Sequence, residues 1–161
     1  MKKIYTLWSA FTFNATGQKV DAMASPATLS ELSGSRHSFQ FDFLTLTRKY
    51  TVYKLQVGGE STIQGLVAFR PTTGILECTN MEICDANKRG NPLYNGVGKA
   101  MVALCCKVSL NEGMNGFIYF DAKNRLVPYY QRLGAKHMFG LRMIIEPIPA
   151  QKLIDLYFKN S

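Results

Sequence analysis

The sequence has no apolar run approaching the roughly 18 residues that a membrane-spanning helix needs. Its start, Met1 to Ala10, has the basic residues and apolar character of a secretion signal, but Thr6, Ser9 and Thr12 interrupt the apolar region. We therefore expect a cytoplasmic protein with no membrane partner.

Histidine and paired cysteines are also scarce. The two histidines, His37 and His137, are far apart, and no Cys-x-x-Cys spacing occurs. A metal site is therefore not expected. The four cysteines are predicted to be reduced, buried thiols; they are Cys78, Cys84, Cys105 and Cys106.

The composition is that of an ordinary globular protein, with 47% apolar and 19% charged residues over 161 positions. No internal repeat or low-complexity tract divides the chain. This length predicts one domain spanning residues 1–161.

The net charge of +8 is concentrated in one part of the chain. Residues 86–142 contain nine Lys or Arg residues against two acidic residues, Glu112 and Asp121. The positive potential of these residues suits a polyanionic ligand, either a phosphorylated cofactor or nucleic acid. The same residues also fit a solvated basic face.

The first half of the chain predicts an antiparallel meander. Residues 25–32 suggest a short helix, and residues 39–43 alternate apolar and polar as a strand does. Two further strands, 50–57 and 62–69, flank the turn signal Gly58-Gly59. Another strand is predicted at 75–83, followed by a polar loop at 85–92.

The second half predicts alternating helices and strands. An amphipathic helix starts near Val97, a short apolar strand covers 117–120, and a second helix begins between 124 and 127. A strand at 143–145 and a terminal helix after Pro149 complete the pattern. The whole predicts a mixed α/β domain with one sheet.

The most informative segment is Asn95-Gly96-Val97-Gly98-Lys99-Ala100, which opens the first of these helices. Glycine lets a ligand approach the backbone closely, and the first amides of a helix are free to bind an anion. The segment therefore predicts a binding place for a phosphate or pyrophosphate.

This segment, the apolar strand and the later motif Tyr129-Tyr130-Gln131-Arg132-Leu133-Gly134 together resemble the GCN5-related N-acetyltransferase (GNAT) superfamily. The resemblance covers roughly residues 62–146. The family loop reads Gln or Arg, two residues, Gly, one residue, then Gly or Ala. Gly96 and Gly98 match, whereas Leu93 stands where Gln or Arg is expected.

The resemblance implies a mostly antiparallel central sheet, splayed at the cofactor site and flanked by helices. Its cofactor half would span about 75–146 and bind acetyl-coenzyme A (acetyl-CoA) as the acetyl donor. The pyrophosphate would lie on backbone amides of Tyr94, Asn95, Gly96, Val97, Gly98 and Lys99. Main chain near Met81 and Ile83 would bind the pantetheine arm. The side chains of Lys99, Lys88 and Arg89 are candidates for binding the cofactor's phosphates, and Lys123 or Asn124 would approach the cofactor as well.

The resemblance also implies direct transfer of the acetyl group to an amine. Tyr130 holds the family's tyrosine position and would act as general acid toward the departing thiolate, with Tyr129 as the alternative one residue away. For the general base, Glu82 at the end of its strand is favoured over Glu77 and His137, and a water chain is an alternative. Glu77 and Glu82 are five residues apart, which predicts opposite faces of a regular strand.

The sequence thus predicts an N-acetyltransferase acting on a primary amine, carried by a small molecule or a macromolecule. A catalytically inactive nucleic-acid-binding or interaction module with the same fold is the alternative. The aromatic and basic residues Tyr129, Tyr130 and Arg132 motivate that alternative, since such residues stack on bases. The sequence leaves a homodimer open.

Overall fold

The computed structural model describes residues 3–159, except for the side chain of Asn124. The chain begins with a long hairpin, in which β1 (Tyr5–Phe13) pairs antiparallel with β2 (Gln18–Pro26). Residues 5–10 of the segment with signal-like character belong to β1, where Leu7 is buried and Trp8 is exposed.

The predicted meander follows. Its three antiparallel strands are β3 (Thr51–Val57), β4 (Gly65–Pro71) and β5 (Leu76–Ile83). These bounds differ by a few residues at most from the sequence prediction, because clear turns at Gly58-Gly59 and 71–74 separate the strands.

Two short helices lie between the hairpin and the meander. The first, α1 (Leu29–Gly34), begins later than predicted, because residues up to Pro26 belong to β2. A capping box fixes its start: Thr28 accepts the N–H of Glu31, and Glu31 accepts that of Thr28.

The predicted strand at 39–43 is wrong. Phe39 is a buried side chain of a loop, and Phe43 is the buried first residue of the helical turn α2 (Phe43–Leu46). Asp42 caps this turn by accepting the N–H of Thr45. The alternation arose from three phenylalanines around a helix start, since Phe39 and Phe41 both pack edge-on against Phe43.

The second half contains the predicted helices and strands and two strands that the pattern missed, β6 and β8. In chain order its elements are α3 (Asp85–Lys88), β6 (Tyr94–Asn95), α4 (Val97–Asn111), β7 (Ile118–Asp121), α5 (Val127–Arg132), β8 (Lys136–Phe139), β9 (Arg142–Ile145) and α6 (Pro147–Tyr157).

All nine strands of the described residues form one sheet in the order β6-β1-β2-β3-β4-β5-β7-β9-β8. Each pair is antiparallel except β5 with β7, which are parallel. These two strands pair only at Leu76 with Ile118 and at Glu77 with Tyr119. Beyond those residues they separate, so the sheet is open at its centre, as the resemblance implied.

Helices cover both faces of the sheet. The main core lies between the sheet and the helices α4 and α6, and a second core lies under α1 and α2 on the opposite face. Helix α4 was predicted to be amphipathic, but it is buried almost all round because α6 packs on its outer side. Among residues 3–159 no helix has the length and apolar character needed to cross a bilayer.

The four cysteines are buried and unpaired, as predicted. Desolvation raises the pKa of the Cys78 and Cys106 thiols well above the usual value. Both thiols therefore stay protonated at neutral pH, which fits a packing role.

Candidate active site

The separation of β5 from β7 opens a cleft through the centre of the sheet. It contains a cavity of ≈ 560 Å³. Of the residues predicted for the site, the cleft is lined by Met81, Glu82, Ile83, Gly98, Lys123 and Tyr130. It is also lined by residues that the sequence did not single out, among them Gln40, Phe41, Asn80, Asn87 and Arg125.

A β-bulge decides which side chains of β5 face the cleft. The strand carries one extra residue, Thr79, between two positions paired with β4, namely Cys78 with Phe69 and Asn80 with Ala68. The extra residue shifts the alternation, so that Glu77 and Glu82 lie on the same face, the one covered by α1 and α2. The expectation that they lie on opposite faces is wrong, because it assumed a regular strand.

Gly96 has a structural reason to be glycine. It caps the start of α4 in the left-handed conformation, with φ of 93°. A side chain would also place its Cβ 2.8 Å from the carbonyl oxygen of Ala10 on β1. Gly96 therefore sets the close approach of α4 to the first hairpin.

Gly98 has no such reason. It lies in the first turn of α4 without a positive φ, and the only neighbouring atom that a Cβ would meet is the hydroxyl of Tyr129, at an ordinary contact distance of 3.7 Å. Glycine within a helix is destabilising by roughly 0.5–1 kcal/mol relative to alanine. The fold gains nothing from this glycine, whereas a ligand on the helix start gains access to the backbone.

The helix start carries three amides with no acceptor inside the helix, those of Val97, Gly98 and Lys99. Lys99 is half-buried in the same turn. A lysine there opposes the helix dipole unless an anion is bound. The amide of Tyr94 is not available for phosphate, because it donates to Asn87 Oδ1 at 2.8 Å.

A buried amide network shapes the loop before α4. Asn87 donates through Nδ2 to Gln64 Oε1 at 2.8 Å while its Oδ1 accepts the amide of Tyr94. Both Gln64 and Asn87 are buried. Leu93 lies exposed beside this network, at the position where the family pattern has Gln or Arg. Among side chains, the loop is thus held by Asn87 and not by Leu93, whose backbone alone bonds to Asn14 and Ala86.

An Asn87→Leu variant should destabilise the protein by about 2–4 kcal/mol, because the Tyr94 amide would be buried without a partner and Gln64 Oε1 would keep only the weak thiol donor of Cys84. Denaturant unfolding measures this loss. Adding Gln64→Met should recover part of the loss, since one orphaned polar group is then removed. A purely additive further loss in the double variant would contradict the network.

The loop is also joined to the first hairpin through the two-residue strand β6. Thr12 and Phe13 of β1 pair with Asn95 and Tyr94. Asn14 reinforces this pairing: it donates to the carbonyl of Pro92 at 2.6 Å and accepts from Asn95 Nδ2 at 3.0 Å.

The two tyrosines of α5 point to different parts of the cleft. The hydroxyl of Tyr129 lies over Gly98 at the start of α4. Tyr130 packs edge-on against Phe120 of β7, with ring centres 4.8 Å apart, deeper in the cleft. Tyr130 therefore remains the stronger candidate for a proton donor near the centre of the sheet.

Burial raises the pKa of Tyr130 to about 12, with smaller contributions from Tyr129 and Cys105. The folded protein thus holds this proton more tightly than the unfolded chain, whose tyrosines titrate near 10. We expect the stability from the neutral Tyr130 to be complete below about pH 10 and lost as the pH rises through about 12.

The same pKa predicts that Tyr130 causes no loss of activity between pH 6 and roughly 10. Tyrosinate absorbance during alkaline titration checks it: the wild type and Tyr130→Phe should differ only at the end of the titration. A difference developing near pH 9 would contradict the raised pKa.

The candidates for a general base are all engaged in contacts. Glu77 forms an ion pair with Arg70, and His137 lies exposed on β8 with Nε2 2.6 Å from the carbonyl of Gly140. Neither lines the cleft. Glu82 does, but its carboxylate already accepts two backbone amides and the ammonium of Lys88. The assignment of Glu82 as base stays a prediction.

Basic side chains lie around the mouth of the cleft. Lys123 is exposed there beside Arg125, and the side chain of Asn124 lies outside what the structure describes. Of the two acidic residues lining the cleft, Glu82 pairs with Lys88 and Asp121 with Arg142. The mouth is therefore positively charged.

No protein-family model matches the sequence, and no curated protein matches it either. Solved structures do match the fold. The Bacillus subtilis acetyltransferase in complex with CoA is 15% identical, with a TM-score of 0.55, over 80% of this chain and 99% of that one. The ribosomal-protein-S18-alanine N-acetyltransferase from Escherichia coli is 12% identical, with a TM-score of 0.58, over 77% and 92%.

A third match is AAC(6')-Ib in complex with parmomycin and acetyl-CoA, which is 11% identical, with a TM-score of 0.61. It covers 87% of this chain and 98% of its own. At these identities the similarity defines the fold. The splayed mixed sheet of this chain has the fold of the GNAT acetyltransferases, in agreement with the resemblance seen in the sequence.

Proposed function

We propose that this protein transfers an acetyl group from acetyl-CoA to a primary amine. The observation that carries the proposal is Gly98, a glycine that the fold does not require, placed at the helix start that borders the cleft. Two of the matched structures contain CoA or acetyl-CoA, which supports the same ligand class here.

The residues present fit such a ligand. The amides of Val97, Gly98 and Lys99 would hold the pyrophosphate, and the Lys99 and Lys123 side chains would supply positive charge. The main chain of β5 from Met81 to Ile83 is left without a β7 partner beyond Glu77, so its polar groups are open to an extended ligand. Asn124 remains a candidate as well.

Bound acetyl-CoA would supply an activated acetyl group as a thioester. The contribution of Tyr130 is a proton held on its hydroxyl throughout the neutral range, available for donation to a developing thiolate. Phe120 fixes the ring orientation by edge-on packing. Backbone amides facing the cleft would stabilise the oxyanion that forms during transfer.

The alternative of an inactive nucleic-acid-binding module has less support. Tyr129 and Tyr130, the aromatics expected to stack on bases, both line the cleft and pack edge-on against each other at 5.1 Å. They do not form an exposed platform. We further propose a single domain and a cytoplasmic location, and leave a homodimer open.

Thermal unfolding with and without saturating acetyl-CoA tests the proposal, with ATP as a polyanion control. Ligand at 100 times its dissociation constant adds about 2.7 kcal/mol of stability. For a domain of this size the melting temperature should rise by roughly 5 °C or more. An equal rise with ATP, or no rise, would favour the interaction module instead.

A further inference from the structure

The carboxylate of Glu82 holds a loop at one edge of the cleft by hydrogen bonds. Its Oε2 accepts the backbone N–H of Gln40 at 2.6 Å, and its Oε1 accepts that of Phe41 at 2.9 Å. The ammonium of Lys88 pairs with the same carboxylate. Glu82 is only 6% exposed, so these charge-assisted bonds form where water competes little.

The segment bonded to Glu82 is a loop without regular secondary structure. It spans residues 39–42, between the helical turn Arg36–Ser38 and α2. Gln40 and Phe41 both line the cleft, and Phe41 is 40% exposed. The position of this loop therefore sets the width of the cleft on the face covered by α1 and α2.

The acceptor amine must enter the cleft from a side that the donor leaves free. Helix α4 lies against the opposite face of the sheet, where Gly98 marks the proposed phosphate end. The amine then enters from the face bordered by the 39–42 loop. This argument rests on the proposed acetyl transfer, since it needs the donor to lie along α4.

The bonding of Glu82 leaves it poorly suited to accept a proton. An ionised carboxylate offers about four lone-pair sites. Three are used by Gln40, Phe41 and Lys88, and taking a proton from the amine would weaken bonds that hold the loop. One lone-pair site is left by this count, but a proton bound there would neutralise the charge that strengthens the bonds to the loop and to Lys88.

We propose that Glu82 is a positioning residue: it locks the 39–42 loop onto the strand that carries the donor and so shapes the acceptor entrance. The amine then loses its proton to water in the cleft. The strand β5 both borders the proposed donor and holds the 39–42 loop. Donor binding and the shape of the acceptor entrance are therefore coupled through this strand.

Amide hydrogen exchange on the protein without ligand is the first arm of the test. In Glu82→Gln one oxygen becomes an NH₂ group, which cannot accept a backbone N–H. Exchange at the amides of Gln40 and Phe41 should accelerate about tenfold or more. Glu77→Gln is the matched control: it changes a paired carboxylate on the same strand and face, and should leave both amides unchanged.

Steady-state kinetics with acetyl-CoA and a primary amine that the wild-type protein acetylates form the second arm. A positioning role predicts a KM for the amine about tenfold higher, with kcat changed less than about threefold and the shape of the pH profile kept. A base role predicts instead a kcat roughly 100-fold lower or more, with loss of the acidic limb of the profile.

Unchanged exchange in Glu82→Gln would overturn the proposal, as would the kinetic signature of a base. If Glu82→Gln does not fold, Glu82→Asp replaces it. That variant keeps the charge beside Lys88 but is one methylene too short to reach both amides, so the exchange should still accelerate. Because the exchange arm needs no donor, its outcome is separate from that of the proposed acetyl transfer.

Discussion

A Gly98→Val variant is expected to keep its fold and lose at least 100-fold in affinity for acetyl-CoA. The valine methyl groups would lie over the first amides of α4 and keep a phosphate at a distance. Each charge-assisted hydrogen bond contributes roughly 1.5–3 kcal/mol, so losing one or two removes about two orders of magnitude of affinity. Isothermal titration measures the affinity, and circular dichroism checks the fold.

Gly98→Ala is the matched control for this variant. Its Cβ would make only an ordinary contact with the Tyr129 hydroxyl, and the family pattern accepts Ala at this position. We expect a much smaller loss of affinity than in Gly98→Val, because a single methyl group covers less of the helix start, and a stability gain of up to about 1 kcal/mol. Normal affinity in Gly98→Val would refute the phosphate-binding loop.

Gly96→Val cannot serve the same purpose, although Gly96 belongs to the same motif. Its positive φ and the carbonyl of Ala10 would make any side chain disturb the helix start. A loss of binding there would report damage to the fold and not the loss of a ligand contact.

A Tyr130→Phe variant is expected to lower kcat by roughly 100-fold or more while changing the dissociation constant of acetyl-CoA less than about twofold. The ring would keep its packing on Phe120, and only the hydroxyl would be lost. Turnover and equilibrium binding, measured on the same preparation, separate the two effects.

Tyr129→Phe is the control for the neighbouring position. Its hydroxyl lies over Gly98, so its removal should alter binding at the helix start more than turnover. If Tyr129→Phe instead shows the large fall in kcat, the acid is the other tyrosine. Lost cofactor affinity in Tyr130→Phe would remove the acid role altogether.

The pattern revealed the elements that bury residues at regular helical or strand spacing, among them the meander β3 to β5 and helix α4. It missed the two-residue strand β6 and the exposed strand β8, which give no such spacing. The first strand was missed as well, because Ser9 adopts a positive φ of 51° within a bulge and breaks the alternation of β1. On β2 the inward residues include Ala22 and Ala24, whose small side chains give little hydrophobic signal.

The candidate site shows the same division. Gly98 and Tyr130 stand out in the sequence because their role depends on residue type and local spacing. Asn87 does not, since its partners Gln64 and Tyr94 meet it only in the folded chain. One signal was present: Gln64 interrupts an apolar run, and a buried polar side chain needs a partner.

The pairing of β6 with the first hairpin has a consequence for the order of folding. Asn14 and its loop partners are 78 to 81 residues apart, so their contacts close a long stretch of chain. Contacts of that separation form slowly, after local hairpins and helices. The segment before α4 should thus gain its native shape among the last events of folding, and a slow recovery of ligand binding during refolding would report that step.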